Sequence, residues 1–177
     1  AVASVSTLLT GCSEQISPSK LSPVLFSHGI ASGDATQQAV ILWTRALPYS
    51  QSSSETLSEV TVAWQLARDP AFNELVRSGY VTTSAERDFT IKVDVQELTP
   101  GQQYYYRFIG ADSRSMLGQT RTLAATGLAP LKLAVFSCSN YPAGYFNVYR
   151  EAARQRDLDA VVHLGDYIYE YAADGYA

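Results

Sequence analysis

The 177-residue sequence predicts an all-β sandwich followed by the beginning of an α/β domain. Between Phe26 and about Thr122 apolar residues recur at every second position, which is typical of strands with one buried and one solvated face. After Pro130 two nearly continuous apolar runs flank a helical pattern, which favours parallel strands covered on both faces. We therefore assign residues 25–126 to the sandwich and residues 130–177 to the α/β domain.

The sandwich prediction depends on four segments. Apolar and polar residues alternate within Val60–Leu66 and Ile91–Val95, and turn-forming residues bound Ala39–Arg45 and Tyr104–Ile109. Short strands at this density are typical of two packed antiparallel sheets. Asp69–Ser78 predicts one or two helical turns between strands, because an aspartate cap is followed by a proline and the segment precedes a glycine.

Tyr104 indicates which kind of sandwich this is. It follows a Leu-Thr-Pro-Gly turn at residues 98–101, and this arrangement resembles the corner of immunoglobulin and fibronectin domains. In that corner a tyrosine hydroxyl bonds to an upstream backbone group. The fold class is therefore predicted to be an all-β immunoglobulin/fibronectin-like sandwich, followed by a βαβ unit.

The predicted βαβ unit begins with Leu131–Phe136 and ends with Ala160–Leu164. Between them Phe146, Tyr149 and Ala153 share one face of a helix. Strand, helix and strand in this order favour a parallel βαβ unit. One such unit does not cover both faces of a sheet, so we expect the chain to stop inside a larger second domain.

Composition excludes several function classes. The chain has 46% hydrophobic and 17% charged residues, as ordinary globular domains do. Thirteen Lys and Arg against seventeen Asp and Glu give a net charge of −4 with no basic run, so a nucleic-acid-binding footprint is missing. No apolar stretch is long enough to span a bilayer. Two cysteines are too few for a disulfide framework.

The amino-terminal residues are typical of an export signal. Residues 1–12 are small and apolar and end in Leu-Thr-Gly-Cys, which resembles a bacterial lipoprotein signal whose cysteine, here Cys12, is acylated. A plain cleavable signal, or a frayed terminus with an incidental cysteine, is the alternative. Residues 13–24 are rich in Ser and Pro and predict a linker. We expect export to the cell envelope or periplasm, lipid-anchored through Cys12 or otherwise secreted.

Candidate metal ligands follow both strands of the predicted α/β unit. Cys138 comes after the first strand, Asp166 after the second, and Tyr169 three residues later. Because the carboxyl ends of parallel strands share one edge, these side chains are expected to converge. A phenolate suits a hard trivalent cation and a deprotonated thiol binds metal, so the set is typical of iron.

Each of these residues also has a plain structural interpretation. Cys138 could be a small buried thiol, because cysteine often serves packing. Asp166 could cap the following turn. Tyr169 belongs to an aromatic segment that could pack or contact a partner. An unpaired charge at the tip of a buried strand is unfavourable, which makes metal ligation the better interpretation of Asp166.

Four motifs together resemble the alkaline phosphatase D (PhoD-like) family of metallophosphoesterases. They are FSHGIASGD at Phe26–Asp34, VILWTR at Val40–Arg45, FSCSNY at Phe136–Tyr141 and HLGDYIYE at His163–Glu170. The resemblance implies an immunoglobulin-like domain before a four-layered αββα phosphoesterase domain. It also implies bound Fe(III) and calcium, with Cys138 and Tyr169 on the iron and Asp166 bridging both metals.

The resemblance further implies hydrolysis of phosphate monoesters or diesters by metal-activated water, without a covalent intermediate. Cys138 as a phosphatase nucleophile is disfavoured, because Gly144 stands where such enzymes place an arginine. His28 and His163 are expected to form internal hydrogen bonds. Asn140 could orient substrate or make a turn.

We expect the remaining ligands to lie beyond Ala177, so that residues 1–177 alone are inactive. The expected partners are a phosphoester substrate and, through the lipid only, a membrane. The alternative function is a lipid-tethered β-sandwich binding module without catalysis, and metal content separates the two.

Overall fold

The computed structural model describes residues 16–49, 57–127, 130–140, 144–155, 157–169 and 171. The chain divides into two compact units, Ala1–Thr126 and Gly127–Ala177, at the point where the apolar pattern changes. The predicted signal remnant, with Cys12, lies outside the described residues. In the described part of the chain no helix is long and apolar enough to cross a membrane.

The first unit is built of antiparallel strands in two main sheets. One sheet has the order β2-β3-β7, the other has the order β6-β5-β8-β9, and β1 pairs with β4. The strands are β1 Val24–Leu25, β2 Ile30–Gly33, β3 Val40–Arg45, β4 Leu47–Pro48, β5 Glu59–Ala67, β6 Leu75–Ser84, β7 Thr90–Val95, β8 Gln103–Ile109 and β9 Gly118–Arg121. Short 3₁₀ turns occur at Pro18–Lys20 and Ala85–Arg87.

The inner faces of these two sheets share one hydrophobic core. Residues of β3 alternate between buried and half-buried along the strand, and β8 alternates in the same way. The alternating apolar residues thus face inward as the period-two pattern predicts. Buried side chains from both sheets form a single cluster that includes Leu42, Leu66, Ile91 and Phe108. This arrangement agrees with the predicted β-sandwich.

The predicted tyrosine corner is confirmed. Tyr104 is fully buried, and its hydroxyl accepts a hydrogen bond of 2.9 Å from the backbone N–H of Thr99. Because the N–H sits at the turn before β8, the bond fixes the entry of the strand into the sheet. A buried backbone donor without this partner would cost roughly 1–3 kcal/mol.

The predicted linker, residues 13–24, is corrected over the residues that the structure describes. The backbone N–H of Ser22 donates to the carbonyl of Thr61 at 2.8 Å, and the Ser22 hydroxyl accepts from the N–H of Thr61 at 3.0 Å. Val24 is fully buried in the core. Apolar burial and backbone pairing therefore attach this segment to the sandwich, although its Ser- and Pro-rich composition is typical of a tether.

The predicted helical turns at Asp69–Ser78 are wrong. The chain bends through residues 68–74, and β6 begins at Leu75. The Asp69 carboxylate does act as a cap, since it accepts the N–H groups of Ala71 at 2.9 Å and Glu74 at 2.6 Å. Those bonds close a turn that reverses the chain. The residues after the turn, from Leu75 onward, then pair with β5 and form a strand.

Gly79, expected to end that helix, lies instead inside β6. It pairs with Trp64 of β5, and a Cβ atom at this glycine would lie 3.1 Å from Nε1 of Trp64. The glycine therefore makes room for the indole ring, which packs partly against the core. Close approach of a side chain is the usual reason for glycine within a strand.

The second unit contains β10 Leu133–Phe136, α1 Asn147–Ala153 and β11 Ala160–His163. The two strands are parallel, with Leu133 opposite Ala160 and Phe136 opposite His163. This is the expected strand, helix and strand order. The start of the pair is held by Lys132, whose backbone N–H donates to the Asp159 carboxylate at 2.9 Å and whose carbonyl accepts from the Asp159 N–H at 2.9 Å.

Candidate metal centre

Backbone pairing brings the segments after β10 and β11 together beyond the ends of the strands. The N–H of Cys138 donates to the carbonyl of Gly165 at 3.2 Å, and the N–H of Ser139 donates to the carbonyl of Asp166 at 2.9 Å. The N–H of Tyr169 then donates to the carbonyl of Ser139 at 2.9 Å. The three candidate ligands are therefore positioned by main-chain bonds at the carboxyl end of the parallel pair.

Both strand-end ligands have an uncommon backbone conformation. Cys138 has φ of 59° and Asp166 has φ of 51°, in the left-handed region that residues with a Cβ seldom adopt. Gly165, with φ of 122°, turns the chain just before Asp166. Such conformations cost about 1–3 kcal/mol each and cluster at functional sites. Here they aim two ligand side chains out of the strand direction.

The three side chains converge as the sequence predicts. Sγ of Cys138 lies 3.5 Å from Oδ2 of Asp166, and the hydroxyl of Tyr169 lies 3.6 Å from the same sulfur. Within the described residues Cys138 is exposed. The N–H of Tyr169, in the turn after Asp166, donates to the carbonyl of Ser139 and not to the Asp166 carboxylate. Asp166 therefore does not cap this turn through Tyr169.

The electrostatics of this cluster suit a cation. The pKa of the Tyr169 hydroxyl is raised, first by its hydrogen bond to the Asp166 carboxylate and then by its hydrogen bond to Cys138. A thiol with a carboxylate oxygen and a phenol hydroxyl within 3.6 Å of its sulfur offers closely spaced donor atoms to a positive ion. Sulfur, carboxylate and phenol oxygen together form a donor set that fits a transition metal beside a harder cation.

The donor set is partial within the described residues. No three His, Cys, Asp or Glu side chains cluster there, so Tyr169 supplies the third donor of the group around Cys138. A shallow cleft of about 240 Å³ borders the site on the side of Cys138. Its lining is contributed by Phe136–Asn140, Gly144 and Phe146–Tyr149.

Both histidines hydrogen-bond, as expected. In the first unit, Nε2 of His28 lies 3.0 Å from Nη1 of Arg45 and Nδ1 lies 3.1 Å from Oγ of Ser27. In the second unit, Nε2 of His163 lies 3.0 Å from the hydroxyl of Tyr149. The expected internal hydrogen bonding of both histidines is confirmed.

Sequence reasoning missed two polar residues next to the ligands. The hydroxyl of Tyr149 also hydrogen-bonds to Oγ of Ser139, which is buried beside Cys138. The only sequence signal was the helix face that Tyr149 shares with Phe146, which predicted packing and not a hydrogen bond.

Comparison with known proteins places this chain in a family. Residues 11–124 match the family model described as PhoD-like phosphatase, N-terminal domain, and residues 133–177 match that described as PhoD-like phosphatase. The chain belongs to the PhoD-like phosphatase family. The resemblance read from the four motifs is thereby confirmed.

Two PhoD-like relatives show how much of the family this chain covers. Alkaline phosphatase D of Bacillus subtilis (strain 168) is 37% identical over 154 residues, which are 85% of this chain and 26% of the relative. The solved structure titled "Structure of PhoD" matches with a TM-score of 0.74 and 37% identity, over 85% of this chain and 29% of that one. The chain thus spans about a quarter of its curated relative.

Proposed function

We propose that this chain is part of an exported, metal-dependent phosphatase or phosphodiesterase. The observation that carries the proposal is the convergence of Cys138, Asp166 and Tyr169. Oδ2 of Asp166 lies 3.5 Å from Sγ of Cys138, and the hydroxyl of Tyr169 lies 3.6 Å from the same sulfur. Membership of the PhoD-like phosphatase family supports a phosphoester as the substrate. The 37% identity to a protein named alkaline phosphatase D supports it further.

Cys138 and Tyr169 would hold Fe(III), and Asp166 would bridge iron and calcium. A thiolate and a phenolate are strong donors for a transition metal, whereas calcium takes oxygen ligands only. The carboxylate of Asp166 has two oxygens, and its Oδ2 lies 3.5 Å from Sγ of Cys138, so it could contact both cations. When bound, such a metal pair stabilises charge on a phosphoryl group and lowers the pKa of a nearby water.

The chain's own residues contribute orientation. The main-chain bonds between the two loops fix the directions of the ligand side chains before any substrate binds, which reduces the ordering cost of the reaction. Cys138 is assigned to ligation and not to nucleophilic attack, in line with the glycine at position 144. No covalent intermediate with the protein is required.

We propose that this site belongs to a larger catalytic domain. The β10-α1-β11 unit would begin a four-layered αββα phosphoesterase domain, after an immunoglobulin/fibronectin-like domain at 25–126. Three donors are fewer than the four or more that protein-bound metals take, so further ligands would come from outside the described residues.

Substitution of the three ligands in the full-length protein, purified with calcium present, tests the metal site. We expect wild type to contain iron and to hydrolyse a chromogenic phosphodiester, and Cys138→Ser, Asp166→Asn and Tyr169→Phe to lose both. Tyr145→Phe is the matched control, because this tyrosine is 91% exposed and belongs to the same unit. Metal content is read by plasma emission spectroscopy.

The opposite result is equally clear. A metal-free, inert wild type, or ligand variants that keep full iron content and rate, would remove the phosphoesterase proposal. The lipid-tethered binding module would then be the better account of the chain.

Export and anchoring are tested separately. We propose that Cys12 carries a lipid and that the protein resides in the cell envelope or periplasm. Cys12→Ser should move the protein from the detergent phase to the aqueous phase on phase partitioning of whole cells. Detergent partitioning that does not change in the variant would exclude lipidation at Cys12.

A further inference from the structure

We propose that Tyr149 and His163 are positioning residues, which set the geometry of the metal-donor loops through Ser139. The inference rests on the proposed metal site. The hydroxyl of Tyr149 hydrogen-bonds to Oγ of Ser139 and lies 3.0 Å from Nε2 of His163. A helix residue and a strand residue are thus joined at the loop that carries Cys138.

The direction of these hydrogen bonds follows from the backbone. The N–H of Gly165 donates to Nδ1 of His163 at 3.3 Å, so Nδ1 carries no proton in this arrangement. In a neutral imidazole the proton then resides on Nε2, which donates to the hydroxyl oxygen of Tyr149. The Tyr149 hydroxyl in turn donates to Oγ of Ser139. One chain of bonds therefore runs from the Asp166 loop to the Cys138 loop.

Ser139 is the point at which this chain reaches all three ligands. It is covalently joined to Cys138, its N–H donates to the carbonyl of Asp166, and its carbonyl accepts the N–H of Tyr169. Ser139 is buried, with 8% of its surface exposed, whereas Cys138 and Asp166 are exposed. A change in the position of Ser139 would therefore move every donor.

Aromatic packing fixes the rings of Tyr149 and His163. The ring of Tyr149 packs edge-on against Phe136 at 4.8 Å between centroids, and it lies tilted against Phe146 at 5.5 Å. The ring of His163 packs edge-on against Tyr167 at 5.2 Å. These contacts need only the rings, so the hydroxyl of Tyr149 can be removed without disturbing the packing.

Residues that orient metal ligands without touching the metal typically change metal affinity or activity by about 10–100-fold when replaced. We therefore expect Tyr149→Phe, in the full-length protein loaded with Fe(III) and calcium, to release iron to EDTA about tenfold faster than wild type. The metal-free variant should remain folded, with a single cooperative melting transition. Tyr145→Phe, the matched loss of an exposed hydroxyl, should release iron at the wild-type rate.

Two replacements of His163 separate a positioning role from a general structural one. Glutamine can keep a donor near the place of Nε2 and so preserve the bond to Tyr149, whereas asparagine can keep an acceptor near Nδ1 for Gly165 only. We expect His163→Gln to retain iron nearly as wild type does, and His163→Asn to release it as fast as Tyr149→Phe. A merely structural histidine would not rank the two variants in this order.

The outcomes distinguish failure of this inference from failure of the proposed function. Iron-loaded wild type with Tyr149→Phe equally resistant to EDTA overturns the positioning role and leaves the phosphoesterase proposal standing. Wild type that binds no iron overturns both. If Tyr149→Phe does not fold, the order of His163→Gln and His163→Asn decides, and equal iron release by these two overturns the inference.

Discussion

The two units of this chain differ in the interactions that stabilise them. In the sandwich, side chains such as Leu42 and Phe108 are fully buried between two sheets. In the described part of the second unit no apolar side chain is buried, and Leu133, Val135 and Val161 are 47%, 54% and 63% exposed. The donor cluster is accordingly held by main-chain hydrogen bonds and ring contacts. Within the described residues, apolar burial is therefore found in the sandwich unit and the candidate ligands in the second unit.

The largest effect should come from the sandwich core. Phe108→Ala removes a fully buried ring that packs against Phe26 and Tyr106, and should lower the free energy of unfolding by about 3–5 kcal/mol. Urea unfolding followed by tryptophan fluorescence measures this, since the two tryptophans, Trp43 and Trp64, belong to the first unit.

The control for this prediction lies in the second unit. In the chain of residues 1–177, Val161→Ala removes an exposed apolar side chain and should change the unfolding free energy by less than about 0.5 kcal/mol. If it destabilised the chain as much as Phe108→Ala, the contrast between the units would not hold.

A smaller effect should follow from removing one hydroxyl in the sandwich. Tyr104→Phe keeps the buried ring but leaves the N–H of Thr99 without its acceptor, so we expect a loss of about 1–3 kcal/mol. The same urea titration measures it. Tyr105→Phe, whose hydroxyl accepts from the neighbouring Gln103 on the half-buried face, should cost about 0.5 kcal/mol or less. Equal losses would contradict the corner's role.

The smallest effect concerns the ion pair of the second unit. The hydrogen bond from Lys132 lowers the pKa of Asp157, and the charge of Lys132 adds to this. A lowered pKa means that the pair stabilises the fold above the carboxyl's unfolded pKa, and that this contribution is lost as pH falls through the folded pKa. Since both groups are exposed, salt should weaken the effect.

Carboxyl carbon NMR titration of Asp157 measures that pKa. We expect it to rise toward the ordinary aspartate value of about 3.9 in Lys132→Met, and partly in 1 M salt. An unchanged titration curve in Lys132→Met would show that the pair is not what lowers the pKa.

The sequence predicted the parts of the sandwich whose burial alternates. β3, β7 and β8 carry a period-two pattern because one face of each meets the core. In β5 the alternation of buried residues breaks after Val62, where Ala63 is also buried and Trp64 is half-buried. β6 was missed because its residues are nearly all half-buried, so no alternation marks it. Its identity as a strand comes from pairing with β5, which no local pattern records. The burial of Val24 was likewise not predicted, because this residue lies in a Ser- and Pro-rich segment.

The candidate ligands were predictable because they follow strand ends in a fixed order, and parallel strands bring such ends to one edge. The roles of Ser139 and Tyr149 were not. Their bond depends on where α1 lies over the two strands, and a tyrosine on an apolar helix face gives no sign of the partner of its hydroxyl. The sequence placed Tyr149 and Phe146 on one face, and their rings do pack, at 5.5 Å between centroids, but the polar contact of the Tyr149 hydroxyl required the structure.

The register of β10 and β11 has a consequence for insertions and deletions in the gene. Because Phe136 stands opposite His163, Cys138 and Asp166 meet two and three residues past the paired ends. Deleting one codon within residues 133–136 would shift the pairing by about 3.3 Å and turn alternate side chains to the other face. Length changes in the connection after α1, at residues 154–158, leave this pairing intact. Natural length variation should therefore be found there and not in the strands.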